Sequence, residues 1–403
     1  MRFKKMPFTF CFLAFCLLSF QISAQEKIAL IVAIGDYPAG SGWMKINSQN
    51  DVPIIKSALL KQGFPEKNVA VLADEKATKK GILAAIKKEL VDRASSGGVA
   101  YFHYSGHGQQ VADNNNDEID GYDEALVPFD SPMQYVAGIY EGKNLLRDEE
   151  LGEAFNELRA KLGPTGNLLA VIDACHSGTG TRGMAPARGT DVIMASEEYK
   201  MTKRGAGAND QNGTESSGET TALAPLTAFF GAAPNQLNFE TKDADGNRVG
   251  SLSYAFSKTF AKAEKNATYR GLFEQIKLEM SAFAPRQQPQ AEGALDRQIL
   301  GGKIVGKAAH FSIINWNDPN TVLIDAGWLQ GINEGSKTGL YASETRDYKN
   351  AKPLAEGIVE RSRPLQSVVF LEQEVAQKAA AEAWAYVLEK SYGNLSVTFK
   401  NEL

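Results

Sequence analysis

Short, unbroken apolar runs alternate, from residue 27 to residue 302, with segments whose apolar residues recur at helical spacing. The runs cover residues 28–34, 68–72, 99–104, 168–172, 192–195 and 227–232, and the helical patterns cover 51–62, 78–93, 148–162, 253–263 and 272–283. A strand with one wet face alternates apolar and polar residues; a continuous run marks a strand covered on both faces. Strands of that kind separated by helices predict βαβ units and a buried parallel sheet. In such sheets functional groups collect beyond the carboxyl ends of the strands.

Two of the runs end alike. One closes on Ser105-Gly-His107-Gly108 and the other on Asp173-Ala-Cys175-His-Ser-Gly178. The chain has three cysteines, and Cys11 and Cys16 fall in a segment that reads as a secretory signal. Arg2, Lys4 and Lys5 precede an apolar stretch at 8–20, and Ile22-Ser23-Ala24 offers small residues before a cut at Gln25. Phe15 is too bulky for lipid attachment at Cys16. Removal of residues 1–24 would leave an exported protein, periplasmic or extracellular, with Cys175 as its one thiol and no disulfide. No other segment has the length of a membrane span.

A thiol is mostly protonated at neutral pH, and a neighbouring imidazole can take its proton to give a nucleophile. His107 is the candidate base. His176 follows Cys175 directly, and side chains of successive extended residues point to opposite faces. The N–H groups of Gly108 and Cys175 are candidates for an oxyanion hole.

These motifs, with Ala33-Ile-Gly-Asp-Tyr-Pro38, Asp120-Gly-Tyr-Asp-Glu124, Gln287-Gln-Pro289 and Asp296-Arg297, resemble the metacaspase branch of the caspase-like cysteine peptidases across residues 27–302. The resemblance implies a caspase–haemoglobinase α/β fold with a mostly parallel six-stranded sheet flanked by helices. It implies a Cys175–His107 dyad and an acidic S1 pocket formed by Asp51, Ser105 and Asp173. Buried carboxylates of this kind would bind the arginine or lysine side chain before the scissile bond. The expected partners are therefore proteins or peptides with a basic P1 residue. Asp51 also fits a helix N-terminal position before Val52-Pro53.

No cofactor is required for this chemistry. Calcium is implied as an activator in several relatives, with Asp123, Asp148 and Glu149 at the matching positions; a fourth family carboxylate has no match, and Arg182 lies in its region. Residues 113–124 carry six carboxylates, which also read as a solvated acidic loop. Residues 200–224, rich in Gly, Ser, Thr and Asn, read as a mobile loop inside the peptidase domain. Lys203-Arg204 is its candidate self-cleavage site, within a basic segment at 182–204 that a zymogen would cut.

After residue 302 the pattern becomes short strands, at 310–316, 321–324, 337–341, 354–359, 367–372 and 384–388, between Asn, Gly and Asp turns. The expected organisation is thus a signal at 1–24, a peptidase domain at 25–302 and a β-rich accessory domain at 303–403, with His310 an ordinary strand residue. A net charge of −5 gives no reason to expect nucleic acid or an anionic membrane as partner. A monomer is expected by default. A related transpeptidase, or an adhesion protein acting through the C-terminal domain, are the alternatives.

Overall fold

The computed structural model describes residues 25–391, apart from 116, 117, 119, 176–185, 204–221, 234–235, 265–266, 302–309, 344 and 346. The expected signal at 1–24, together with His176, Arg182 and Arg204, lies outside the described residues. The chain divides into two units, residues 1–304 and 305–403.

The first unit is built on β1 (Lys27–Ala33), β2 (Val69–Ala73), β3 (Val99–Ser105), β7 (Asn167–Asp173), β8 (Leu226–Phe230) and β11 (Gln290–Gly293). They form one six-stranded sheet in the order β11-β8-β7-β3-β1-β2, parallel throughout except for β11. The unbroken apolar runs follow from helices on both faces. Ile28, Leu30, Val32, Phe102 and Leu168 join a core on one side, against α2 (Lys79–Ala85) and α3 (Asp148–Leu162). Ala29, Ile31, Tyr101, Leu169 and Val171 join the other, against α1 (Asp51–Lys61), α5 (Ser251–Phe260) and α6 (Tyr269–Phe283). Burying a leucine or isoleucine side chain is worth about 2 kcal/mol, so each central strand fixes its neighbours in register.

That register positions the chemistry. Ala33, Ser105 and Asp173 are lateral partners at the carboxyl ends of β1, β3 and β7. Beyond them β4 (Gly108–Ala112), β5 (Tyr122–Leu126) and β6 (Leu146–Arg147) make a small antiparallel sheet, and β9 (Glu240–Lys242) pairs with β10 (Arg248–Gly250) as a hairpin.

Two expectations need correction. Residues 192–195 do not make a strand of the sheet; Met194 makes a single bridge to Val111 of β4. The loop expected from residue 200 begins with the end of α4 (Glu197–Lys203), where Tyr199 bonds the Gly121 carbonyl oxygen at 2.7 Å. Its other end is also fixed, because Ala224 is buried and bonded to Arg159.

The second unit is a closed antiparallel barrel. Its strands are β12 (His310–Asp318), β13 (Thr321–Ile324), β14 (Lys337–Ala342), β15 (Ala355–Ser362), β16 (Ser367–Leu371) and β17 (Ala383–Glu389), in the order β12-β13-β16-β15-β14-β17. Val322, Ile324, Leu340, Val359, Val369 and Leu371 fill it. His310 stacks on Trp384 with ring centroids 3.8 Å apart.

Candidate active site

Ser105 and Asp173, paired across β3 and β7, are buried, and so is Asp51 at the start of α1. Asp51 does not cap its helix: its Oδ2 accepts from Ser105 Oγ at 2.5 Å and its Oδ1 accepts from the Gly250 N–H at 2.8 Å. Asp173 sits over the first turn of α5, where its Oδ2 accepts from the Ser253 N–H at 2.7 Å and from Ser253 Oγ. Its Oδ1 accepts from Asn238 Nδ2 at 2.6 Å. His103, wedged between Tyr101 Oη and Ser253 Oγ, completes the support beneath Asp173.

The pocket so formed is filled by the chain's own Arg188. Its Nη1 donates to Asp51 Oδ2 at 2.7 Å and to Ser105 Oγ at 2.6 Å, with Asp173 Oδ2 at 3.6 Å. Its Nη2 donates to Glu240 Oε1 at 3.3 Å. The side chain is wholly buried, and Asp51, Asp173 and Glu240 more than offset the burial that would otherwise lower the guanidinium's pKa. Burial pushes the Asp51 carboxyl up, against the pull of Arg188. Gly250 is a wall of this pocket: a Cβ there would overlap the Asp173 carboxylate and the Arg188 guanidinium.

The backbone on either side of Arg188 is held by two isolated bridges, Ala187 to Phe239 and Gly189 to Gly108. The Arg188 N–H donates to the Asn238 carbonyl oxygen at 2.8 Å, and the Glu240 N–H donates to the Pro186 carbonyl oxygen at 3.0 Å. The Arg188 carbonyl oxygen accepts from both Gly108 N–H, at 3.2 Å, and Cys175 N–H, at 3.0 Å. The two groups expected to make an oxyanion hole therefore converge on one oxygen. The next residue, Gly189, bridges to Gly108 and lies against Cys175; a Cβ on it would overlap the Cys175 carbonyl oxygen and Sγ. Cys175 is a buried free thiol, and burial pushes it up to about 12.

His107 leaves β3 in a turn whose N–H donates to Tyr37 Oη at 3.0 Å. Its ring stacks on Trp43 with centroids 4.7 Å apart. Nε2 lies 2.8 Å from the Met44 carbonyl oxygen, a partner that can only accept, so Nε2 carries the proton and Nδ1 is the bare nitrogen. Nδ1 is buried and has no hydrogen-bond partner among the described residues. Burial pushes the imidazole down to about 4, so it is neutral near pH 7.

Of the residues named for calcium, Asp148 and Glu149 open α3 side by side and Asp123 lies on β5. The Asp123 carboxylate is ion-paired with Arg147. Asp148 is pushed up to about 8 by burial and by Glu149 and Glu124 beside it, so it holds a proton at neutral pH. Among the described residues no group of three or more His, Cys, Asp or Glu is arranged to hold a metal ion. Lys203 is elsewhere too, over the Tyr199 ring and against Gly121. Glu240, Asn238, Gly250 and the Met44 carbonyl lie outside every motif that marked the site, and only the three-dimensional contacts identify them.

Residues 26–300 match the family model described as Caspase domain. The chain is 26% identical over 313 residues to Metacaspase-1 of Mycosarcoma maydis, covering 68% of this chain and 72% of that protein. It is 28% identical over 279 residues to Metacaspase-1 of Eremothecium gossypii, covering 60% of this chain and 58% of that one. Among solved structures, Caspase-1 from Spodoptera frugiperda aligns with a TM-score of 0.44 at 14% identity, over 70% of this chain and 92% of that one.

Proposed function

This chain belongs to the caspase-domain family of cysteine peptidases, and from that premise we propose that it hydrolyses peptide bonds after arginine or lysine, beginning with its own Arg188–Gly189 bond. One observation carries the reading. A basic side chain lies among Asp51, Ser105, Asp173 and Glu240 while its carbonyl oxygen receives the Gly108 and Cys175 N–H groups. That is the pose a P1 residue needs at the start of acyl transfer.

Cys175 Sγ attacks the Arg188 carbonyl carbon as its proton passes to Nδ1 of His107. Negative charge develops on the carbonyl oxygen, where the two N–H groups already point. The bond to the Gly189 nitrogen breaks, that nitrogen takes the proton from Nδ1, and a thioester remains. Water then gives a proton to Nδ1 and attacks the thioester carbon. The thiol regains that proton, and the new Arg188 carboxyl group gives its own proton to solvent as it leaves. The Met44 carbonyl keeps Nε2–H in place, so the same nitrogen serves both halves.

The uncut chain is then a zymogen whose own segment fills the cleft. Export belongs to the same reading and rests on the composition of residues 1–24. Mass analysis after incubation tests it: wild type yields a break between 188 and 189, and Cys175→Ala stays whole. Cys175-dependent turnover of an Arg-linked reporter peptide, absent with an Asp-linked one, tests the pocket. Equal turnover of the Asp peptide refutes it.

A further inference from the structure

Resting on that reading, we infer that Glu240 makes this an arginine-selective peptidase by reading the second terminal nitrogen of the P1 guanidinium. The pocket receives Arg188 from two sides. Asp51 and Ser105 take Nη1 on one side, and Glu240 takes Nη2 on the other. A guanidinium is a rigid planar fork that donates from separate points, whereas a lysine ammonium is a single point charge on a flexible, slightly shorter stem. A lysine that reaches Asp51 and Ser105 leaves Glu240 with no cation to pair, and an unpaired charge in a closed pocket is costly.

Glu240 is built to stay where it is. It is 5% exposed. Its Oε1 accepts from the Asn47 N–H at 2.6 Å and its Oε2 accepts from Asn47 Nδ2 at 2.7 Å, so the carboxylate is clamped in plane. Its own N–H holds the Pro186 carbonyl oxygen. One residue of β9 thus grips the substrate backbone and one end of the P1 side chain. A carboxylate fixed by donors before the guanidinium arrives loses little freedom on pairing.

The test is a double-mutant cycle on self-cleavage in the full chain, using Arg188→Lys, Glu240→Gln and the pair. Arg188→Lys alone slows the 188–189 cut by roughly tenfold or more, the scale of one charge-assisted hydrogen bond. In the Glu240→Gln chain the same change costs about tenfold less, so the two substitutions are strongly coupled. Glu240→Asp, which keeps the charge but withdraws it, falls between. A parallel arm in the Arg188→Ala background, where the chain does not fill its own pocket, compares kcat/KM for Arg and Lys reporter peptides. Glu240→Gln lowers the Arg-to-Lys ratio by about tenfold. An unchanged ratio and additive rates overturn the role of Glu240 while leaving the peptidase reading intact. No Cys175-dependent turnover of either peptide overturns both.

Discussion

If Arg188 locks its own segment into the cleft, replacing it with alanine should unmask Cys175 without any cut. The side chain makes two bonds to carboxylates, 2.7 Å to Asp51 and 3.3 Å to Glu240, and one of 2.6 Å to Ser105. Charge-assisted bonds contribute about 1.5–3 kcal/mol each, and the low end applies because the carboxylates regain water once the segment lifts. Two such bonds give about 3 kcal/mol, which is roughly a hundredfold in the ratio of closed to open segment.

The assay must see opening and nothing else, so it is run in a His107→Gln chain that lacks the proton acceptor. Alkylation of Cys175 by iodoacetamide reports the open fraction, because the thiol is buried against Gly189 in the closed state. When opening and closing outpace labelling, the rate scales with that fraction. His107→Gln/Arg188→Ala should label about a hundred times faster than His107→Gln alone. Lys203→Ala, a basic residue against Tyr199 and Gly121, should change the rate by less than about twofold. Equal labelling with and without Arg188 would refute the argument, since the backbone bonds to 238–240 would then suffice to hold the segment.

The remaining expectations concern stability and the scissile bond. His103 and His107 are both pushed down by burial, to about 3 and about 4, from an ordinary value of 6.5. The unfolded chain binds their protons first, so stability is full above pH 6.5 and is lost as pH falls toward 4, by up to about 1.4 kcal/mol per unit for each group. Thermal scans from pH 7.5 to 4.5 should show that fall, and His103→Gln should make it shallower; an unaltered slope contradicts the assignment. Asp148, pushed up to about 8, runs the other way: its contribution is present at acid pH and is lost as pH rises through 8. Asp148→Asn should therefore raise Tm at pH 8.5 relative to wild type while changing it less at pH 5, and a lowered Tm at both would count against it. Gly189→Ala should slow self-cleavage by about a hundredfold, because the new methyl must displace the carbonyl carbon from Cys175. Cleavage at the wild-type rate in a mass time course would rule that contact out.

What the sequence could reveal follows from how each residue reaches the site. Ser105 and Asp173 end apolar runs, and lateral register in a parallel sheet makes two such ends neighbours, so linear pattern alone brings them together. His107 and Cys175 follow the same strands by two residues and inherit the arrangement. The sheet was legible for the same reason: β1, β3 and β7 are covered on both faces and write themselves as unbroken apolar runs. Residues 192–195 wrote a similar run and became irregular chain, because a short apolar stretch also serves to anchor a loop, as Met194 does against Val111.

Arg188 obeys a different logic. Arg-Gly pairs stand at 182–183, 188–189 and 204–205, and linear sequence favours the dibasic Lys203-Arg204 over Arg188. The choice is made by backbone pairing with residues 238–240, and that stretch is itself held by Gln287 and Ser251 through Asn238. Glu240 enters the pocket by that route alone, from a hairpin with no chemical motif of its own. An acidic pocket read from Asp51 and Asp173 thus implies that some basic residue will fill it, while the identity of that residue depends on a partner strand far along the chain. Arg188 is the residue that lies among three buried carboxylates and, in the proposed reaction, the residue attacked. Substitutions in the carboxylates should therefore move closure and cleavage together, whereas Gly189→Ala should slow cleavage and leave the guanidinium's contacts standing.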